Sequence, residues 1–166
     1  MAHRKSDIVT WSPTFSVGIK IIDEQHKGLL DLVNDMFNHV SENKDAERAY
    51  FKSVIQQAIQ YVKVHFSTEE KIMLHTKFPG YAEHKKAHDT FVLAVVENVR
   101  NYEAGKRLTL NDFTRFLKEW VLTHIAIMDK QYFDYLKHIA HRREDGKLHI
   151  NKQDVEEAEI HQKSVS

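Results

Sequence analysis

Residues 110–136 read LNDFTRFLKEWVLTHIAIMDKQYFDYL. Phe113, Phe116, Leu117, Trp120, Val121, Ile125, Met128, Tyr132 and Phe133 recur along this stretch at three- and four-residue steps, the spacing of one apolar face on an α-helix. Thr109 or Asn111 is the expected N-cap, because a short side-chain oxygen there accepts from the first unpaired backbone amides. Two polar groups, His124 and Asp129, lie beside the apolar stripe rather than opposite it. A polar group buried without a partner costs several kcal/mol, so residues placed there require one.

Three more helices are predicted upstream. The first covers about residues 19–40, with Ile22, Leu29, Leu30, Val33, Met36, Phe37 and Val40 on its stripe. A polar connection over 41–45 leads to the second, about 46–75, carrying Phe51, Val54, Ile55, Ala58, Ile59, Val62, Phe66 and Met73. Phe78-Pro79-Gly80 stops it. The third covers about 81–104, with Phe91, Val92, Val95, Val96 and Val99 inward and Gly105 just past its end, where a positive φ is expected. The expected fold is all-α, an up-down-up-down antiparallel four-helix bundle over residues 20–137. Residues 1–19 form an N-terminal arm, broken at Ser12-Pro13, with Trp11 packed back onto the domain. Residues 138–166 form a polar C-terminal extension with at most one short helix, over 154–161.

Composition narrows the function classes. Lys and Arg number 24 against 24 Asp and Glu, so no basic footprint for nucleic acid exists. The absence of cysteine removes disulfides, thiolate zinc sites, Cys-ligated iron–sulfur clusters and cysteine nucleophiles. The N-terminus is polar and no apolar run is long enough to span a bilayer, so a soluble cytoplasmic protein is expected. Histidine is the anomaly, with twelve in 166 residues, and it is the commonest side-chain metal ligand.

The histidines fall into motifs, one per predicted helix. These are Asp23-Glu24-Gln25-His26, then His65-x-x-x-Glu69, then His84-x-x-x-His88, then His124-x-x-x-x-Asp129. Residues four apart share a helix face, so His65 with Glu69 and His84 with His88 can reach a common point. His124 and Asp129 are five apart, about 140° around an ideal helix. That separation suits two ligands splayed across a site with two metals. Each motif alone is weak; four in succession, all beside apolar stripes, form a set. Five imidazoles and two carboxylates without thiolate suit Fe, Mn, Zn or Cu rather than Ca or Mg. No Glu-x-x-His, HExxH or P-loop motif is present. The other histidines read as solvated: His39 and His75 near helix C-termini, His138 and His141 three apart, and His3, His149 and His161 in arms and tails. Lys85 and Lys86 are expected to face solvent.

The order His, HxxxE, HxxxH, HxxxxD resembles the hemerythrins, and most the single-domain bacterial members, over about residues 8–136. Trp11, Phe78-Pro79 and Trp120 ahead of His124-Ile125 add to the likeness. The resemblance implies two non-haem iron ions cycling between Fe²⁺ and Fe³⁺ with a bridging oxo or hydroxo group. His84, His88 and His124 would bind one iron, His26 and His65 the other, and Glu69 and Asp129 would bridge them. O₂ would bind reversibly at the two-histidine iron as a hydroperoxide, for storage, transport or delivery, with NO or small anions such as azide as other ligands. Trp120, Val121 and Ile125 are candidates for the apolar wall of the O₂ pocket. The protein is thus expected to bind rather than catalyse. Two other readings remain: a sensor of O₂, NO or redox state signalling to a protein partner through residues 138–166, and a di-iron peroxidase or NO-handling enzyme.

Overall fold

The computed structural model describes residues 7–106 and 109–142. His3, the side chain of His141, and residues 143–166, with His149, His161 and the helix expected over 154–161, lie outside the described residues. A short 3₁₀ turn, Pro13–Phe15, precedes α1 (Lys20–Asn38), α2 (Lys44–His75) and α3 (Tyr81–Glu103). The fourth rod is composite: α4 (Leu110–Thr123), a π-helical turn (His124–Asp129) and α5 (Lys130–Arg142) run on without a break. Together these make the four-helix bundle, with α1 packed on α2 and α4, and α2 on α3. No helix among the described residues is long and apolar enough to cross a membrane.

The helix ends follow local chemistry. Asn43 caps α2 by accepting from the Ala46 amide at 3.1 Å. Thr109 and Asp112 form a reciprocal capping box at the start of α4. At the end of α3, Gly105 takes φ +67 and the Lys106 amide reaches back to the Asn101 carbonyl at 3.0 Å, a Schellman closure. The same closure ends α2, where Phe78 N–H donates to the Met73 carbonyl at 2.9 Å, but there Lys77 occupies the left-handed position at φ +55. The helix therefore ends before Phe78-Pro79-Gly80 is reached.

The arm is pinned to α1 by one side chain. Asn34 accepts from the Ile8 and Val9 amides through Oδ1 and donates to the Val9 carbonyl through Nδ2. Trp11 packs on the core beside Phe15, with Lys27 over its ring. Asp23 then orders the entry to α1, accepting from Ser16 Oγ at 2.6 Å and from the Val17 amide at 2.7 Å.

The core divides into two apolar clusters. One gathers Leu29, Leu30, Val33, Phe51, Phe66, Phe91, Phe113, Leu117, Val121 and Ile125. The other gathers Val17, Ile19, Ile22, Ile72, Met73, Tyr132 and Leu136. Some stripe residues expected inside are not. Val40 lies beyond α1 and is exposed, and Val92 and Val96 on α3 are 37% and 36% exposed. Phe91 and Val95 hold the inward line of α3, and residues one position further are turned about 100° away from it.

Gly18 sits where the arm turns into α1, at φ +77, and a Cβ there would lie 2.6 Å from Phe133 Cζ. Gly105 has a similar φ of +67, but the nearest atom to its Cβ is Arg48 Nη2 at 3.8 Å. Alanine in the left-handed region costs about 1–2 kcal/mol. Gly105→Ala is expected to lose that amount, and Gly18→Ala to lose more because Phe133 must also move. Denaturant midpoints of the two variants measure the difference; equal losses would remove the steric argument.

Candidate metal centre

The seven residues singled out by spacing converge between the two apolar clusters. His26, on α1, lies one turn from Ile22 and one turn from Leu29 and Leu30. On α2, Glu69 lies between Phe66 and Ile72, and on the fourth rod Asp129 lies between Ile125 and Tyr132. Each helix thus passes from one apolar cluster to the other across a single polar layer. His26, Glu69 and Asp129 have no exposed surface, and the four other histidines are buried almost completely.

The imidazoles fall into two sets. Nε2 of His124 lies 3.0 Å from Nε2 of His88 and 3.1 Å from Nε2 of His84. His26 and His65 form the second set, ring against ring edge. The carboxylates lie between. Asp129 turns Oδ1 to His124 at 3.1 Å and His84 at 3.3 Å, and Oδ2 to His26 at 3.1 Å. Glu69 turns Oε2 to His88 at 3.4 Å and to His84 and His65 at 3.6 Å, with Oε1 3.9 Å from His26. Two groups could each hold a cation: Glu69 with His84, His88 and His124, and His26, His65, Glu69 and Asp129.

The donor set fits metal ions. All four oxygens of Glu69 and Asp129 are buried without a hydrogen-bond partner, as are both ring nitrogens of His26. The 3.1 Å approach of His26 to Asp129 lacks the alignment of a hydrogen bond. Two bare carboxylates in a dry interior are strongly unfavourable unless a cation offsets them. A neutral imidazole nitrogen holds either one proton or one lone pair, so three Nε2 atoms facing one another cannot all be satisfied by hydrogen bonds. Their spacing of about 3.0 Å is the edge spanned at right angles by metal–nitrogen bonds of about 2.1 Å.

The electrostatics show the same demand for positive charge. Burial alone would lower the pKa of His84, yet Asp129 and Glu69 beside it raise it to about 9. His26 is raised as well, the pull of Asp129 and Glu69 overcoming its burial. Glu69 is held down at about 2, the surrounding histidines outweighing its burial and the nearby Asp129 charge, and Asp129 is held well below the usual carboxylate range against its burial, chiefly by His124. His65 goes the other way, lowered to about 4 by burial.

The fourth rod departs from the ideal helix. Its five-residue spacing was expected to splay His124 and Asp129 about 140° apart. The turn His124–Asp129 is instead π-helical, and an i→i+5 register stacks residues five apart on one side. The two side chains meet at 3.1 Å.

Several functional neighbours carried no motif. Gln25 Oε1 accepts from His65 Nδ1 at 3.1 Å while its Nε2 donates to Thr68 Oγ at 3.2 Å. This holds the protonated nitrogen of His65 outward and turns Nε2 to the cluster. Glu70 does the same for His88 at 3.1 Å and is held in turn by Lys85 at 3.5 Å. Lys85, expected to face solvent, is 40% exposed and also bridges Glu70 and Asp89. Gln25 was detectable in principle, as a polar residue on the face shared by Ile22 and Leu29. Phe66 stacks on His88 at 3.6 Å and Trp120 on His124 at 4.3 Å. Trp120 thus walls the three-histidine side, and Val121 and Ile125 are buried in the apolar cluster that contains Leu29 and Leu30.

The family model for the hemerythrin HHE cation binding domain matches residues 17–136. A bacteriohemerythrin of Stenotrophomonas maltophilia is 29% identical over 142 residues, covering 86% of this chain and 89% of the relative. One of Methylococcus capsulatus is 29% identical over 126 residues, covering 75% and 94%. A wild-type hemerythrin crystal structure superposes with a TM-score of 0.68 at 29% identity, over 76% of this chain and 96% of that one.

Two outcomes follow from the ring contacts and the charges. Gln25→Ala is expected to weaken divalent-metal binding about 10- to 100-fold, read by competition with a chromophoric chelator, with helical content unchanged. Metal uptake must also displace the proton that His84 carries below about pH 9. Affinity is therefore expected to fall about tenfold per pH unit as pH drops from 8.5 to 7. Ordinary histidines would leave it nearly level in that window, and a level profile would contradict the raised pKa.

Proposed function

Since the chain belongs to the hemerythrin family, we propose that its buried cluster holds two non-haem iron ions and binds O₂ reversibly. His84, His88 and His124 hold one ion and His26 and His65 the other, with Glu69 and Asp129 shared between them. The observation that carries this reading is the set of buried carboxylate oxygens without hydrogen-bond partners, placed between two groups of imidazoles. With two imidazoles rather than three, the His26 and His65 side would leave room for an incoming ligand. When bound, the two irons supply the electrons that make O₂ binding possible and take them back on release.

The chain's own residues keep that exchange reversible. Five neutral imidazoles stabilise ferrous iron better than a carboxylate-rich shell does. Apolar clusters close the polar layer on both sides, limiting access of water and protons. Of the buried polar side chains, Gln25 and Thr68 adjoin the ligands, and both are neutral. Burial, with Glu69, Asp129 and Asp23 nearby, raises the Tyr132 phenol well above its usual range. Val121 and Ile125 serve as apolar walls in the cluster with Leu29 and Leu30, while Trp120 closes the three-histidine side. O₂ is the partner, with NO or azide able to compete, and the cytoplasm is the expected site of action.

One observation favours a sensor as a second reading. Asp129 opens directly into α5, which runs to Arg142, the last described residue. Unchanged O₂ binding and unchanged recovery of protein partners after deletion of 143–166 would dispose of it.

The main reading is tested by metal analysis and optical spectra of reduced protein before and after air. About two irons per chain and a new charge-transfer band that fades under vacuum are expected. His124→Ala is expected to lose one iron and the band. A pure sample without stoichiometric iron, or an oxy spectrum unchanged in that variant, would refute it.

A further inference from the structure

Away from the histidine cluster, α2, α3 and α4 leave a second cavity of about 260 Å³, partly open to solvent. Its walls are Ile59 and Val62 of α2, Phe91, Val92 and Val95 of α3, and Leu117 of α4. Lys63 is the one charged residue lining it, exposed and without an ion pair among the described residues. This is the place where the apolar stripe of α3 fails to enter the core: Val92 and Val96 open onto solvent here, and Leu93 beside them is 71% exposed. Apolar side chains exposed side by side around a cavity offer a surface for an apolar ligand.

The lining selects the occupant. Aliphatic and aromatic walls offer no buried donor or acceptor, so a sugar, nucleotide or peptide backbone would lose its water hydrogen bonds without replacement. The volume of about 260 Å³ lies just under the usual range of small-molecule sites, so the occupant has to be slender. The unpaired cation at the rim favours an anionic head. A second copy docked symmetrically over this cavity would bring Lys63 towards its own counterpart. We propose that the cavity binds a medium-chain fatty acid, with its carboxylate at Lys63 and its chain along Phe91, Val92 and Val95.

The site has a built-in reporter. Phe91 forms one wall and stacks on Trp120 at 3.8 Å, and Trp120 stacks on His124 at 4.3 Å. Decanoate is titrated into the iron-loaded full chain carrying Trp11→Phe, which leaves Trp120 as the remaining tryptophan. Emission and calorimetry are followed together, with decanol, anionic phosphatidylglycerol vesicles and sedimentation as parallel arms. One saturable decanoate site per chain, reported by Trp120, is expected. Lys63→Glu is expected to weaken decanoate about tenfold and leave decanol unchanged. Val92→Glu, at a solvent-facing position that tolerates charge, is expected to abolish uptake of both while iron content stays the same. No saturable uptake, equal effects of Lys63→Glu on decanoate and decanol, binding to vesicles alone, or self-association in place of uptake would each overturn the proposal.

Discussion

The structure depends on the presence of two buried carboxylates in a layer of imidazoles. Glu69 and Asp129 lie at the centre of the bundle with no hydrogen bond to any of their four oxygens. An acidic pair so close in a low-dielectric interior repels itself and sheds its hydration. The fold tolerates it only by surrounding it with nitrogen donors and a place for cations. His26 and His84 respond by drawing protons more strongly than exposed histidines do. What stabilises a loaded centre therefore destabilises an unloaded one, and folding and metal uptake become linked through the same side chains.

That layer also explains why the core is two clusters rather than one. Ile22, Ile72, Tyr132 and Leu136 lie to one side of it, and Leu29, Phe66, Leu117 and Ile125 to the other. Each helix has to be apolar, polar for about one turn, and apolar again. Hydrophobic burial gathers the four helices, but it is the apolar residues on both sides of the ligands that isolate the centre from water. Gln25 and Glu70, each holding the outer nitrogen of a histidine, set the direction in which the ring presents its lone pair.

The parts of this arrangement that obey the 3.6-residue period were legible in the sequence. His65 with Glu69 and His84 with His88 are four apart on ordinary α-helices, and they meet as that spacing requires. The caps at Thr109 and Gly105 were legible because their chemistry is local. The meeting of His124 and Asp129 was not, since an ideal helix assigns five-residue neighbours to different faces. Nor was the exposure of Val92 and Val96: an apolar stripe reports what could be buried, whereas the neighbouring helices decide how wide a strip is covered. Gln25 and Glu70 carry no motif at all, and their importance arises from the rings they touch. Membership of the hemerythrin family supports an iron-binding centre as a whole; the assignment of each ligand to one ion belongs to the proposed function.

The π-helical turn has a consequence for how this chain can vary. Phe113, Leu117, Val121, Ile125 and Asp129 follow one another at intervals of four, which on a regular α-helix would drift steadily around the axis. The widened turn absorbs the drift, so the fourth rod has two angular phases that change at the ligands themselves. Losing one residue within 125–128 would restore a regular helix and leave Tyr132 and Leu136 close to their present phase, because the wide turn holds one residue more than an α-helical turn does. A further inserted residue has no such slack to take up and would turn both of them about 100° out of the interior. The segment can thus shorten by one residue without re-aiming the helix beyond it, but not lengthen.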